Sequence, residues 1–394
     1  MPKALIIGGG VAGPAAALFL QRAGWEVEIF EAREAPAAYG GLFLNVATNG
    51  LAVLDILGLR APLVADGHAC PRMVMCSGRG RVLGVVPNGP AADPARGSVV
   101  VRRAHLHEVL RRGVADAGIR YTSGARLQRI EEQGDHVIAR FADGTRVEGD
   151  VLIGADGIGS VVRTTIDPDA PAPAPSGLIS IGGFARVPGL APTPGEQYMV
   201  FGAKSFFGYL VRDDGTAYWF ANVTASASEN SRGAVGAVAA EEWVARLQAL
   251  HADDPYPVPQ ILAHVVGEVG AYPLADLTHV PHWHRDRLVL LGDAVHATSP
   301  SAGQGASLAL EDAISLAAHL RDDGGYAEAF AGYERDRRPR AEEVVSYARA
   351  VNRHKRVTRS RAGIALRDAM LPMFLRRAAS DTRNDHLYNH VIPW

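Results

Sequence analysis

Near the N-terminus, Gly8-Gly9-Gly10-Val11-Ala12-Gly13 fits the spacing G-x-G-x-x-G, and an acid, Glu31, follows eighteen positions after the last glycine. Glycines at these places permit a tight turn at Gly8, close approach of a pyrophosphate at Gly10, and close packing of helix on strand at Gly13. Free N–H groups at the start of the helix, around Val11 and Ala12, would face the anion. Glu31 is placed to accept hydrogen bonds from an adenosine ribose. A glycine-rich turn that holds no ligand is the plain alternative, and the motif alone leaves the two readings level. The surrounding elements decide between them. Ala4-Leu5-Ile6-Ile7 is a short apolar run, as a strand covered on both faces requires. Pro14 falls in the first helical turn, where its missing N–H costs nothing. Gly24 stops the helix, and Glu26 to Phe30 reads as a second strand that delivers Glu31. This is a dinucleotide site.

Composition narrows the remaining possibilities. At roughly 150 residues per domain, a chain of 394 residues holds two or three domains. Its 47% hydrophobic and 21% charged residues describe a soluble globular protein. Forty basic against forty-two acidic side chains, a net charge of −2, disfavour a nucleic-acid binder. Only Lys3, Lys204 and Lys355 are lysines, so a phosphate clamp here must be arginine or backbone. Cys70 and Cys76 are spaced as neither a CxxC redox pair nor a zinc knuckle. Two ordinary thiols in a reducing, cytoplasmic setting and no metal are expected. The stretch from Ala4 to Leu20 lacks charge, but its glycines and Pro14 weaken a membrane-spanning helix, and the flanks lack signal-peptide character. No membrane span is expected.

Two later segments say which dinucleotide. One is Asp150-Val-Leu-Ile-Gly-Ala-Asp156-Gly157-Ile-Gly-Ser160-Val-Val-Arg163, an apolar strand ending in Asp-Gly. The other is Arg287-Leu-Val-Leu-Leu-Gly292-Asp293, which continues through His296 and Pro300 to Gly303-Gln304-Gly305-Ala306 and an apolar helix. With the fingerprint, in this order and spacing, they resemble the FAD-dependent aromatic hydroxylases, the single-component flavoprotein monooxygenases of the p-hydroxybenzoate hydroxylase type. Arg103 to Leu110, Tyr272 to Trp283, and Tyr333 to Arg340 fit the same family. The likeness spans the FAD-binding framework and is weak over residues 173 to 265.

The resemblance implies an α/β fold, α+β overall: a Rossmann-like FAD-binding domain with an inserted, mostly antiparallel β-sheet substrate domain and C-terminal helices. It implies that Gly8, Gly10, Val11, Ala12, Gly13, Glu31 and Arg33 hold the ADP half of FAD, with Arg103 near the pyrophosphate. Gly41 also belongs to this cofactor set. Asp293 would meet the ribityl chain. Pro300, Gly303, Gln304, Gly305 and Ala306 would bring a helix N-terminus to the flavin pyrimidine edge, where reduced flavin carries negative charge. Asp156 and Gly157 would lie where FAD and a transient nicotinamide meet. NADPH or NADH would reduce the flavin, O2 would form a C4a-hydroperoxide, and one oxygen atom would pass to an aromatic or polycyclic small molecule. No second G-x-G-x-x-G is present for the nicotinamide. His296 is expected to be structural, and the catalytic base stays unassigned. Two departures from the family pattern, Thr48-Asn49-Gly50 after Gly40-Gly41 and Ser307, would alter the pocket beside the flavin. A flavin halogenase shares the framework, but its W-x-W-x-I-P signature is absent. A non-catalytic flavin or ligand carrier on the same fold is the other alternative.

The framework is interrupted, so its domain is expected to be discontinuous: residues 1–70, 99–172 and 269–340, with a substrate domain from 71–98 and 173–268 and a helical region at 341–394. Within the substrate domain, the runs around 198–201, 206–212 and 216–223 read as strands with a turn at Asp213-Asp214-Gly215. Alternation puts Phe206, Gly208 and Leu210 with Tyr218 and Phe220 on one face, and Phe207, Tyr209 and Val211 with Trp219 on the other. Phe206, Tyr218 and Phe220 are the expected lining of a flat apolar pocket, set against ordinary sheet packing. From 335 to 377 there are thirteen Arg or Lys and four Asp or Glu. A solvated basic helix face is the first reading of that bias, and a membrane or anionic partner the second. The chain could be a monomer or a homodimer.

Overall fold

The structure is a computed structural model, and it describes residues 1–34, 42–93, 95–226, 228–355 and 360–394. Its central strand is β1 (Lys3–Ile7), which pairs in parallel with β2 (Glu26–Glu31) on one side and β12 (Val151–Gly154) on the other. The sheet continues through β8 (Arg120–Ser123) at one edge, and through β19 (Leu288–Leu290) and β18 (His284–Arg285) at the other. β1, β12 and β19 are almost wholly buried, which is why they are read as unbroken apolar runs rather than as alternating ones. α1 (Ala12–Arg22) packs against α4 (Arg103–Asp116) and α10 (Gly305–Asp322). A meander of β9 (Leu127–Gln133), β10 (His136–Phe141) and β11 (Arg146–Gly149) closes onto the sheet with Phe141 against Phe30, ring centroids 4.6 Å apart.

The second large sheet runs β17 (Val265–Asp276), β13 (Ala174–Arg186), β16 (Thr216–Thr224), β15 (Phe206–Val211), β14 (Glu196–Phe201), β5 (Arg72–Ser77), β6 (Val82–Pro87). All its pairings are antiparallel except β14 with β5. β17 reaches Asp276, eight residues past the expected boundary at 268, because β13 keeps pairing with it as far as Ala174↔Asp276. One face buries Phe207, Tyr209, Val211 and Trp219 beneath α6 (Arg232–Gly236), α7 (Ala240–Leu250) and α8 (Val258–Ala263). The other face turns Leu210 and Tyr218 onto Cys70 and Val100, with Phe43 and Phe184 beside them. Phe43, Cys70 and Val100 belong to a small sheet of β3 (Phe43–Val46), β7 (Ser98–Arg102) and β4 (His68–Cys70). The seven-stranded sheet therefore presents one aromatic face to the small sheet of β3, β7 and β4.

The remaining helices are α2 (Thr48–Leu57), α3 (Arg60–Ala65), α5 (Val161–Ile166), α9 (Asp293–His296), α11 (Tyr326–Lys355) and α12 (Arg361–Ala379). α11 runs unbroken through the expected boundary at 340. Cys70 and Cys76 are both free and buried. Among the described residues no helix is long and apolar enough to cross a membrane, and no group of His, Cys, Asp or Glu could hold a metal ion.

Candidate cofactor site and active site

The three fingerprint glycines are required for different reasons. Gly8 has φ +114°, and a Cβ there would lie 2.2 Å from the Ala155 carbonyl oxygen. A Cβ on Gly13 would lie 2.0 Å from the Gly8 carbonyl oxygen. At Gly10 an added Cβ would meet nothing within 4 Å, so this is the open side of the loop. α1 starts with no side-chain cap and no acid in its first turn, leaving N–H donors for an anion. Glu31 contributes more than an outward-facing carboxylate. Its two oxygens accept hydrogen bonds from the N–H groups of Gly9 (2.8 Å) and Arg33 (3.0 Å), tying the loop to the end of β2.

α4 begins at Arg103, whose N–H donates to the Leu42 carbonyl at 3.3 Å. His107, one turn later, is buried next to the loop at Gly10. Burial, with help from the charges of Arg103 and Arg33, pushes its imidazole down to about 4. Both arginines thus carry their charge close to His107 at the glycine loop. His107 received no role from sequence reasoning. Its i+4 spacing from Arg103 was the available signal.

The Asp-Gly and Gly-Asp segments converge on the same point. Ala155 donates its N–H to the Ile7 carbonyl at 2.7 Å, and buried Arg163 donates to the carbonyls of Ala294 and Ile158, both at 2.8 Å. The Asp156 carboxylate is occupied by its own helix, accepting from Ser160 Oγ (2.5 Å) and from the N–H groups of Val161 (2.7 Å) and Val162 (3.3 Å). Burial lifts its pKa above the ordinary carboxylate value. What this segment leaves free for a ligand is backbone around Gly157. Gly292, φ +63°, lies between the other two motifs: a Cβ there would be 3.0 Å from Ala12 Cβ and 3.4 Å from Ala309 Cβ. Asp293 follows it, exposed, at the start of α9.

At α10 the first turn again has no side-chain cap and no acid. Gly303 has φ +64°, and its carbonyl accepts from Asn45 Nδ2 at 3.4 Å. Gln304 is held at both ends of its amide, accepting from Asn49 Nδ2 (3.0 Å) and donating to the Leu387 carbonyl (3.2 Å). Pro300 opens a short 3-10 turn, and Gly305 and Ala306 begin the helix. The two departures from the family pattern meet here. Ser307 Oγ accepts from the Ala47 N–H at 3.1 Å and lies 2.5 Å from where a Cβ on Gly50 would stand. Gly41 lies outside the described residues.

Behind this surface is a buried charge cluster. Asp312 accepts from the Gly292 N–H (2.9 Å), His296 Nε2 (2.5 Å) and Arg337 Nε (2.9 Å). Glu311 pairs with Arg337 and Arg340, each at 2.7 Å, and accepts from Asn49 at 2.7 Å. Burial alone would raise the Asp312 pKa, but His296 and Arg337 hold it at about 2. Burial would likewise lower His296, and Asp312 raises it above the ordinary imidazole value. His296 is therefore a strut beneath Gly292.

Two uncapped helix N-termini, an open glycine and two arginines at one end suit a group with phosphates at one end and a ring that becomes negative at the other. The FAD binding domain family matches residues 1–348. The chain belongs to the FAD-dependent aromatic hydroxylases. It is 31% identical over 347 residues to the aurachin C monooxygenase/isomerase of Stigmatella aurantiaca, covering 87% of this chain and 86% of that one. It is 30% identical over 359 residues to the 6-hydroxynicotinate 3-monooxygenase of Pseudomonas fluorescens, covering 87% and 89%. Klebsiella pneumoniae HpxO, solved with FAD and uric acid, superimposes with a TM-score of 0.83 at 25% identity, covering 97% of this chain and 96% of that one. This hydroxylase is an FAD-dependent monooxygenase.

In this hydroxylase Phe206, Tyr218 and Phe220 do share one face, set by the register Leu210↔Tyr218 and Gly208↔Phe220. Phe43 from the cofactor framework approaches Tyr218 at 5.3 Å and Phe220 at 6.2 Å between ring centroids. Gly208 is small because the Phe220 ring covers it, 2.2 Å from its absent Cβ. Tyr218 Oη accepts from Arg102 Nε (3.0 Å) and Arg212 Nη1 (2.9 Å), and Arg212 is anchored by Asp66 at 2.8 Å. Neither arginine was foreseen; each pairs with a tyrosine distant in sequence or across a hairpin.

Proposed function

We propose that this hydroxylase consumes NADPH or NADH and O2 to insert one oxygen atom into an aromatic or polycyclic small molecule bound against the Phe206, Tyr218 and Phe220 face. The observation that carries the reading is that this aromatic face turns onto the cofactor framework, with Phe43 between them. FAD, when bound, supplies the hydride acceptance and oxygen activation. The chain's part is to bind, orient and exclude water. Gly8, Gly10, Val11, Ala12 and Gly13 would receive the pyrophosphate with Arg33 and Arg103, and Glu31 the ribose. Asp293 would receive the ribityl hydroxyls. Backbone N–H groups of Gly303, Gln304, Gly305 and Ala306, with Pro300 fixing the turn, would favour negative charge on the ring. Backbone near Asp156 and Gly157 would border the nicotinamide. Tyr218 itself is buried, and its Oη accepts from Arg102 and Arg212, which fixes the ring in this face.

The test is NADPH and NADH oxidation by purified holoenzyme over a panel of aromatic compounds, with 18O2 incorporation read by mass spectrometry. Because relatives are named for 6-hydroxynicotinate and solved with uric acid, these two go first, followed by phenols, quinolones and polyketides. Substrate-stimulated nicotinamide oxidation with one labelled oxygen per product is expected. A flavin-loaded protein that oxidises neither nicotinamide with any of these compounds would be a carrier instead.

A further inference from the structure

α12 carries its polarity reversed. Every exposed residue from 362 to 378 is Ala, Leu, Met, Phe or Arg, and the arginines come only at 376 and 377. Leu366 (61% exposed), Met370, Met373 (63%) and Phe374 (55%) recur at the spacing of one helical face. The charged residues in the middle of the helix point the other way. Arg367 donates to the Phe201 carbonyl at 3.0 Å, stands over the Phe201 ring at 5.6 Å and pairs with Asp368 at 2.8 Å. Arg81 donates to the Asp368 carbonyl. On the inner side Leu375 packs over Gly84 of β6, and β6 itself exposes Val82 and Val85 beside the helix. A helix that only had to cover the sheet edge would place these methionines and Phe374 inward.

We propose that this face docks the enzyme onto an anionic lipid bilayer, with α12 lying in the interface plane. Charge decides the occupant. No carboxylate stands exposed on the face from 362 to 378, whereas Arg376 and Arg377 stand exposed at its end. A second copy docking through the same face by two-fold symmetry would offer these arginines no carboxylate, since none stands exposed on it. An anionic headgroup layer meets them with opposite charge while the acyl boundary takes Leu366, Met370, Met373 and Phe374. No described helix can span a membrane, so the contact is one of lying on the surface. Docked this way, the edge strand β6 of the seven-stranded sheet comes next to the bilayer. The inference stands apart from the proposed reaction, since it needs no turnover.

The test is co-sedimentation of holoenzyme with vesicles of phosphatidylcholine containing about one-third phosphatidylglycerol. Wild type is expected in the pellet at low salt and largely released at high salt or with phosphatidylcholine alone. Met373→Ser with Phe374→Ser should lower partitioning at least about tenfold, and Arg376→Gln or Arg377→Gln about fivefold each. All these side chains are exposed, so FAD content and melting temperature should stay as in wild type and serve as controls. Wild type remaining in the supernatant with anionic vesicles would overturn the proposal, as would equal pelleting of the Met373→Ser, Phe374→Ser variant. A wild-type dimer that this variant dissociates in sedimentation equilibrium would assign the face to a second copy and overturn it too.

Discussion

One added carbon at Gly13 is enough to disturb the phosphate loop, because its Cβ would stand 2.0 Å from a backbone oxygen that has nowhere to go. Gly13→Ala is expected to shift the loop, lose FAD during purification, and cost about 1–3 kcal/mol or more in urea unfolding. Asp293 is the opposite case, an exposed carboxylate whose loss leaves packing alone. Asp293→Ala should weaken FAD binding by about tenfold while the apoprotein unfolds as wild type; unchanged FAD affinity would remove Asp293 from the site. His107 gives a pH dependence with a definite sign. Its folded value of about 4 is below the ordinary 6.5, so the unfolded chain takes up the proton first as pH falls. The stability of the neutral, buried ring is complete above 6.5 and is lost between 6.5 and 4, by up to about 3 kcal/mol. Urea unfolding of apoprotein at pH 7 and pH 5 should show this slope, and His107→Leu should flatten the difference. Residues whose role is local were legible in the sequence: Gly8, Gly10 and Gly13 carry their spacing with them. The Asp156 carboxylate was not, since a helix start five residues away competes for it.

At the level of elements, the α10–α11 packing is built on charge. Asp312 and Glu311 on one helix face Arg337 and Arg340 on the other, all buried. Removing one partner strands the others, so Arg337→Met should cost about 3–5 kcal/mol in urea unfolding. Because Asp312 also holds the Gly292 N–H, FAD retention should fall together with stability. None of this was readable beforehand: Asn49 and Glu311 lie 262 positions apart, and no periodicity links them. Strand β1, helix α1 and strand β2 were readable, because apolar runs, Pro14 and Gly24 act within a few residues of where they stand. The aromatic hairpin was half-readable. Alternation separated Phe206, Tyr218 and Phe220 from Phe207 and Trp219, but only packing shows that α7 and α8 cover the second set and the cofactor framework the first.

Across the whole molecule, the C-terminal stretch acts as a tie. The Leu387 carbonyl holds Gln304 and Arg340, the Tyr388 carbonyl accepts from Thr48 Oγ1 at 2.6 Å, and Asp385 accepts from the N–H groups of Ala91 and Ala92. A chain ending at Ser380 should lose roughly 3 kcal/mol or more of stability from these unmade bonds and release FAD faster, measured by flavin fluorescence after dilution. The central sheet draws β1, β2, β8, β12, β18 and β19 from separated stretches of chain, while β17 and α11 continue through residues 268 and 340, since a strand or helix continues as long as its partner does. The strand order of the central sheet also sets a schedule for synthesis on the ribosome. β1 emerges first but stays unpaired on one side until β12 appears, and β12 in turn waits for β19 at Leu288. A nascent chain therefore carries a strand that is apolar from Ala4 to Ile7, exposed along one edge, through the translation of well over a hundred codons. Late FAD capture is the outcome this topology predicts, to be checked by flavin binding to nascent chains stalled before and after Leu288.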